Sequence, residues 1–162
     1  AFNSLDAAAS PRLASGSRFA ENTGKLYRFS SGHGGVACQG CHNSTHAIWP
    51  NPDDAHNDNV AAQQVQGHSG TITECTACHG AGTLSLALNG PHGMHVVGDS
   101  RWRSGHGSIA KRDRQACAAC HGSNYRGTPL SRTAARRTWG SRNVAMGVQV
   151  GCYDCHNGPS GD

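Results

Sequence analysis

The chain has 162 residues, long enough for one domain, and carries a formal charge of +4 at pH 7. Leu, Ile, Val and Phe together number only 21, whereas glycine alone contributes 22, so the composition excludes an ordinary apolar core. It contains no run of about 18 apolar residues, so we expect no transmembrane segment.

Residues 1–30 are predicted to form an N-terminal arm, and 31–162 a single domain. Phe2, Phe19 and Phe29 lie in the arm among Ala, Ser and Gly, and Pro11 interrupts any helix there. We expect the arm to pack over a cofactor or a second molecule, with a frayed terminus as the alternative. The first residues lack the apolar stretch of a signal peptide, which indicates a mature chain.

The motif Cys-x-x-Cys-His occurs four times and contains all eight cysteines. Two thiols three positions apart can bond to the two vinyl groups of one haem, and the next histidine can reach the iron. Zinc sites, redox pairs and disulfides also use CxxC, but none requires the trailing histidine. The sequence therefore predicts four covalently attached c-type haems. The haem-binding cysteines are Cys38, Cys41, Cys75, Cys78, Cys117, Cys120, Cys152 and Cys155, and the proximal histidines are His42, His79, His121 and His156.

Between the motifs the sequence predicts a few short elements in a mostly irregular chain that wraps around the four haems, which supply the missing apolar surface. Capping residues and periodicity indicate three helices and one strand. The elements are a helix capped by Asp58 or Asn59 and ended by Gly67, a helix capped by Ser108 that carries the third motif, a helix over 131–139 ended by Gly140, and an alternating strand over 144–150.

Seven other histidines are available as the second, distal iron ligand. His33, His68 and His106 lie beside glycines, 5, 7 and 11 residues ahead of a motif, and glycine allows the backbone to approach a haem closely. The fourth ligand is expected from His46, His92 or His95, with His95 and His46 preferred. His92 and His95 are too close in sequence for both to point at one iron. The alternative role for each is a hydrogen bond to a propionate or to the backbone.

Ten of the fourteen Lys and Arg residues lie between Arg101 and Arg142, where the only acid is Asp113. Such a cluster is typical of a nucleic-acid surface. Arginine also pairs with carboxylates through two hydrogen bonds, and four haems would bring eight propionate charges. We therefore expect the arginines to bind the propionates and predict no nucleic-acid partner.

Several segments resemble multihaem c-type cytochromes of metal-reducing and related bacteria and archaea, over most of residues 27–159. They are HGGVACQGCHNSTHAIWP, LNGPHGMHVVG, CHGSNYRGTPLS and CYDCHNGP. The resemblance implies an extracellular or periplasmic electron-transfer protein with bis-histidine haems, whose partners are other redox proteins or a terminal electron acceptor. Tetrahaem members of that family stack into extracellular filaments, which implies self-association into a homopolymer. A soluble periplasmic shuttle is the alternative.

A multihaem reductase is the rival enzymatic hypothesis. Catalysis at a haem needs one iron with an open face, which in that family is often marked by lysine in place of the proximal histidine. All four motifs here end in histidine, and the other histidines outnumber the irons. The sequence therefore favours an electron carrier over an enzyme.

Overall fold

The computed structural model describes residues 8–10, 12–43 and 60–160, and within them it consists of short elements joined by loops and single 3-10 turns. None of the helices in these ranges has the length and apolar composition that crossing a bilayer requires. The elements are helices α1 (Gln39–His42), α2 (Val60–Gln66), α3 (Ser100–Arg112) and α4 (Arg114–His121), and the antiparallel strands β1 (Arg137–Trp139) and β2 (Arg142–Val144).

The buried apolar side chains in these ranges are few and mostly small. Large apolar side chains are instead exposed, with Phe29 at 64%, Leu130 at 66% and Met146 at 67%. Protein side chains alone therefore do not build the apolar interior that a stable domain needs, in line with the composition. The buried apolar residues are Ala14, Ala20, Ala62, Val96, Ile109 and Val144.

Part of the predicted N-terminal arm is bound to the segment before the first motif. The Glu21 carboxylate accepts hydrogen bonds from the Ser31 hydroxyl and the Gly34 N–H, each at 2.8 Å. These bonds, with the Ser31 bond the largest contribution, lower the pKa of the Glu21 carboxyl. The arm thereby fixes the 3-10 turn that begins at His33.

The predicted helix before the second motif is confirmed over Val60–Gln66, and Gly67 follows it at a φ of +82°. Its proposed caps, Asp58 and Asn59, lie outside the described residues. The side-chain amide of Gln66 donates to the His68 carbonyl and accepts from the Thr73 N–H, at 3.1 and 3.0 Å. The end of α2 therefore orders the loop that leads into the second motif.

The prediction that Ser108 caps the helix of the third motif is wrong. Ser108 lies inside α3, whose first turn is capped by Asp99 through a 2.9 Å bond from the Arg101 N–H. The third motif lies on the next helix, α4. That helix is capped by Asp113, whose carboxylate accepts a hydrogen bond from the Ala116 N–H at 3.0 Å.

The predicted helix over 131–139 is also wrong. Its last residues form β1, which pairs with β2 across a two-residue turn at Gly140, whose φ is +66°. Glycine favours such hairpin turns, and Thr138 and Trp139 are residues that strands prefer. The predicted strand over 144–150 overlaps β2 only at Val144.

Candidate functional site

Each Cys-x-x-Cys-His motif folds into a single helical turn. The backbone N–H of the motif histidine donates to the carbonyl of the first cysteine four residues earlier, which brings both ends of the motif to one side of the turn. None of the eight cysteines forms a disulfide in the structure. The bonds are His42 to Cys38 at 2.9 Å, His79 to Cys75 at 2.9 Å and His156 to Cys152 at 3.2 Å, while the third motif lies within α4.

Each motif histidine faces a second histidine from another part of the chain. The ring centroids lie 5.9 to 6.3 Å apart in all four pairs, while the angles between the ring planes differ widely. The pairs are His33–His79 at 63°, His42–His92 at 40°, His95–His121 at 13° and His106–His156 at 24°.

This separation fits two imidazoles that bind one metal ion from opposite sides. A metal–imidazole bond is about 2.0–2.1 Å and the nitrogen lies about 1.1 Å from the ring centre, so two such rings would be roughly 6 Å apart. In a haem the porphyrin supplies the other four ligands, so two protein histidines suffice. In the ranges that the structure describes, no group of three or more His, Cys, Asp or Glu side chains is placed to hold a bare metal ion.

In four of the paired histidines Nδ1 meets a backbone carbonyl oxygen. A carbonyl only accepts hydrogen bonds, so the bond requires the proton on Nδ1 and leaves the lone pair on Nε2. Such bonds orient metal-binding histidines and fix their tautomer. The bonds run from His92 to Arg18 at 2.8 Å, from His95 to Val96 at 3.2 Å, from His106 to Trp102 at 3.0 Å and from His121 to Val150 at 2.7 Å.

Burial keeps two of the paired rings neutral. Burial is the largest cause that lowers the pKa of His95, and the nearby His121 and His106 lower it further, against a raising effect of the Val96 bond. Burial, followed by the proximity of His92, likewise lowers the pKa of His42. Neutral imidazole is the form that binds a metal ion.

Two buried donors near the third and fourth motifs, Arg114 Nε and His156 Nδ1, have no hydrogen-bond partner within the described residues. The Arg114 charge is close enough to the thiols of Cys117 and Cys152 to influence their pKa values, although burial is the larger effect and raises both. Buried donors are normally satisfied. Their position fits a cofactor with polar groups, such as a haem with its propionates, at these two motifs.

The turn Pro91–Gly93 carries one ligand candidate and leads to another. His92 adopts a left-handed φ of +59°. The arm binds this turn, because the Arg18 guanidinium donates to the His92 carbonyl at 3.0 Å and the Phe19 ring lies 5.2 Å from the His92 ring. His95 follows three residues later and faces a different motif histidine.

His68, predicted as a distal ligand, does not face a motif histidine. Its Nδ1 lies 2.9 Å from the Ser69 carbonyl and its Nε2 lies 3.0 Å from the Glu74 carboxylate. The same carboxylate forms a bidentate ion pair with Arg137, in which one N–O contact is 3.0 Å. Both nitrogens of His68 are therefore engaged, and the ring belongs to a largely buried charged cluster.

The sequence selected His33, His95 and His106 as distal candidates, and in the structure the ring of each lies near that of a motif histidine. It preferred His46 and His68 over His92, which is the residue that faces His42. His46 lies outside the described residues. His92 has Gly93 beside it but lies 25 residues ahead of the next motif, so the criterion of glycine neighbours shortly ahead of a motif did not select it.

The pairs do not follow the order of the chain. His33 precedes the first motif but faces the histidine of the second, and His106 precedes the third motif but faces the histidine of the fourth.

Comparisons with protein-family models, with curated proteins and with solved structures found no match. The resemblance to multihaem cytochromes therefore stays a prediction.

Proposed function

We propose that this protein carries electrons along four c-type haems, each attached to the two cysteines of one motif and bound by two histidines. The observation that carries the proposal is that each motif histidine faces a different second histidine at 5.9 to 6.3 Å. A haem bound at such a pair supplies an iron that exchanges one electron between its ferric and ferrous states.

The proposed ligand sets follow from the four pairs. Numbered by motif, the first haem has Cys38, Cys41, His42 and His92; the second has Cys75, Cys78, His79 and His33; the third has Cys117, Cys120, His121 and His95; and the fourth has Cys152, Cys155, His156 and His106.

Connections between the histidine pairs support a continuous path for electrons through the four haem sites. Numbered by motif, the order is second, first, third, fourth. The first and second sites share a segment, because His33 and His42 lie nine positions apart within one hydrogen-bonded stretch. The first and third share the turn that leads from His92 to His95. The third and fourth meet where His95 and His106 both contact one tryptophan ring.

The polypeptide has three tasks in this proposal. Backbone carbonyls hold four of the imidazoles in the tautomer that exposes Nε2. The helical turn of each motif holds its histidine beside its cysteines. Buried charges such as Glu74 and Arg137 contribute to the reduction potential of the haem at the second motif.

The pairing supports a carrier rather than a reductase. A reductase needs an iron with one face free for its substrate. In the proposed sites all four motif histidines have a partner on the opposite side, so the protein itself would cover both faces of each iron.

Secretion, exchange of electrons with other redox proteins, and self-association into a filament are parts of the proposal that rest on the resemblance to multihaem cytochromes. All four pairs form within one chain, so a monomer would have complete sites and the periplasmic shuttle stays the alternative. Size-exclusion chromatography of the secreted holoprotein distinguishes them, because a single species with the mass of one chain and four haems excludes the filament.

The decisive experiment is expression in a host that matures c-type cytochromes, followed by mass spectrometry and electron paramagnetic resonance. We expect the mass of the chain plus four haems and four low-spin ferric signals. An unmodified polypeptide with eight thiols would overturn the proposal. A high-spin signal from one of four bound haems would favour the reductase.

A further inference from the structure

The indole ring of Trp102 contacts two histidines that belong to different pairs. Its ring is parallel to that of His95, with centroids 4.1 Å apart and planes 6° apart. The ring of His106 also lies near the indole, with centroids 5.8 Å apart and planes at 30°. Together with their motif partners, these residues form a series of five neighbouring rings, called the column below. The column runs His121, His95, Trp102, His106, His156.

Helix α3 fixes two members of this column. Trp102 and His106 are four residues apart, so they lie on the same face of the helix. His106 Nδ1 lies 3.0 Å from both the Trp102 and Arg103 carbonyls, which orients the ring along the helix. The Asp99 cap holds the first turn of α3, from which Trp102 projects.

His95 depends on Trp102 for its orientation more than His106 does. It lies outside any helix, and the hydrogen bond of its Nδ1 is the longer 3.2 Å contact to the carbonyl of the adjacent Val96. The parallel indole covers one face of the imidazole and restricts its rotation about the side-chain bonds. The plane of His95 is in turn only 13° from that of His121.

We propose that Trp102 is a positioning residue that sets the ring planes of His95 and His106 and thereby tunes the third and fourth haems as a coupled pair. This inference rests on the proposed function. The orientation of axial imidazoles, like other interactions around the metal ligands, affects the spectrum and the potential of a haem. Trp102 should therefore affect two of the four sites and leave the other two unchanged.

The test compares Trp102→Leu, which removes the flat ring, with Trp102→Phe, which keeps a smaller one. Ser108→Ala is the control, because Ser108 is an exposed polar residue of the same helix α3 and lies outside the column. For each holoprotein, electron paramagnetic resonance and redox titration are measured. We expect Trp102→Leu to shift two of the four low-spin signals and two of the four potentials, Trp102→Phe to shift the same two less, and Ser108→Ala to shift none.

Four unchanged signals in Trp102→Leu, or an equal shift of all four, would overturn the inference. If Trp102→Leu fails to take up haem, Trp102→Phe provides the test. Four unchanged signals in Trp102→Phe would overturn the inference, and a shift confined to two signals would support it. A wild-type protein without four low-spin haems would instead contradict the proposed function, so the two failures are distinguishable.

Discussion

The imidazole of His33 lies 5.9 Å from that of His79, although His33 precedes the first motif and His79 ends the second. His106 repeats the relationship, because it precedes the third motif and lies 6.2 Å from His156 of the fourth. In both cases the histidine just ahead of a motif faces the next motif along the chain. Each of these contacts connects the segment ahead of one motif to the histidine of the next motif.

The number of low-spin haems tests the pairing of His33 with His79. Because His33 and His79 are proposed to bind the same iron, His33→Ala, His79→Ala and the double variant should each retain three low-spin haems. Electron paramagnetic resonance of the three holoproteins provides the count. Two low-spin haems in the double variant would show that His33 serves another iron.

His92 and His68 can be compared directly. We expect His92→Ala to convert one of the four low-spin haems to high spin, since it removes the ring opposite His42. His68→Ala should retain four low-spin haems, because the His68 ring is engaged by Ser69 and Glu74. Optical and electron paramagnetic resonance spectra provide the measurement, and the reverse result would restore His68 as a ligand.

The Glu74–Arg137 ion pair should contribute strongly to stability. Its side chains are only 14% and 12% exposed, and removal of one partner from a buried pair costs on the order of 3 kcal/mol. We expect Glu74→Gln to lower the free energy of unfolding by about that amount in denaturant titrations. The control is Asp99→Asn, which breaks the ion pair with Arg101, whose side chain is 45% exposed, but retains a capping side chain. It should change the free energy of unfolding little. An equal loss in both variants would contradict the prediction.

The same carboxylate should make stability depend on pH. Burial raises the pKa of Glu74, but the hydrogen bonds from Arg137 and His68 outweigh it and leave the pKa below its ordinary value. The stabilisation is therefore complete above the ordinary carboxyl pKa and is lost as pH falls through the lowered value. Unfolding titrations of wild type and Glu74→Gln should differ most near neutral pH and converge in acid. A constant difference would refute this linkage.

Asp113 rather than Ser108 should stabilise the helix of the third motif. Asp113→Ala removes the carboxylate that caps α4 and should lower the free energy of unfolding by about 1 kcal/mol, whereas Asp113→Asn should retain most of the stability. Ser108→Ala lies in the interior of α3, where alanine is a better helix former, so no loss is expected. Thermal or denaturant unfolding measures all three. A larger loss at Ser108 would favour the original capping prediction.

Local features of the fold were predictable from the sequence because they depend on neighbouring residues. The helix over Val60–Gln66 and its end at Gly67 depend on a local pattern of helix-forming residues and on one glycine. The segment over 131–139 shows the limit. Arg136 and Arg137 in an alanine-containing stretch favour a helix, but pairing with β2 across the turn overrides that preference.

The candidate site divides in the same way. Spacing identified every motif histidine, whereas the choice of its partner depends on contacts between distant segments. His68 has the glycine neighbours of His33 and His106, but a carboxylate six residues later binds its ring. That competition depends on how the loop after α2 folds, which no local pattern reveals.

None of the four histidine pairs spans the peptide bond between Gly93 and Met94, because two pairs lie wholly before it and two wholly after it. A polypeptide cleaved there would yield two fragments, each of which retains a full set of imidazoles for two irons of its own. If the proposed ligand sets hold, the chain is a tandem of two halves with ligands for two haems each, joined covalently by one turn and across space by the pair Glu74 and Arg137.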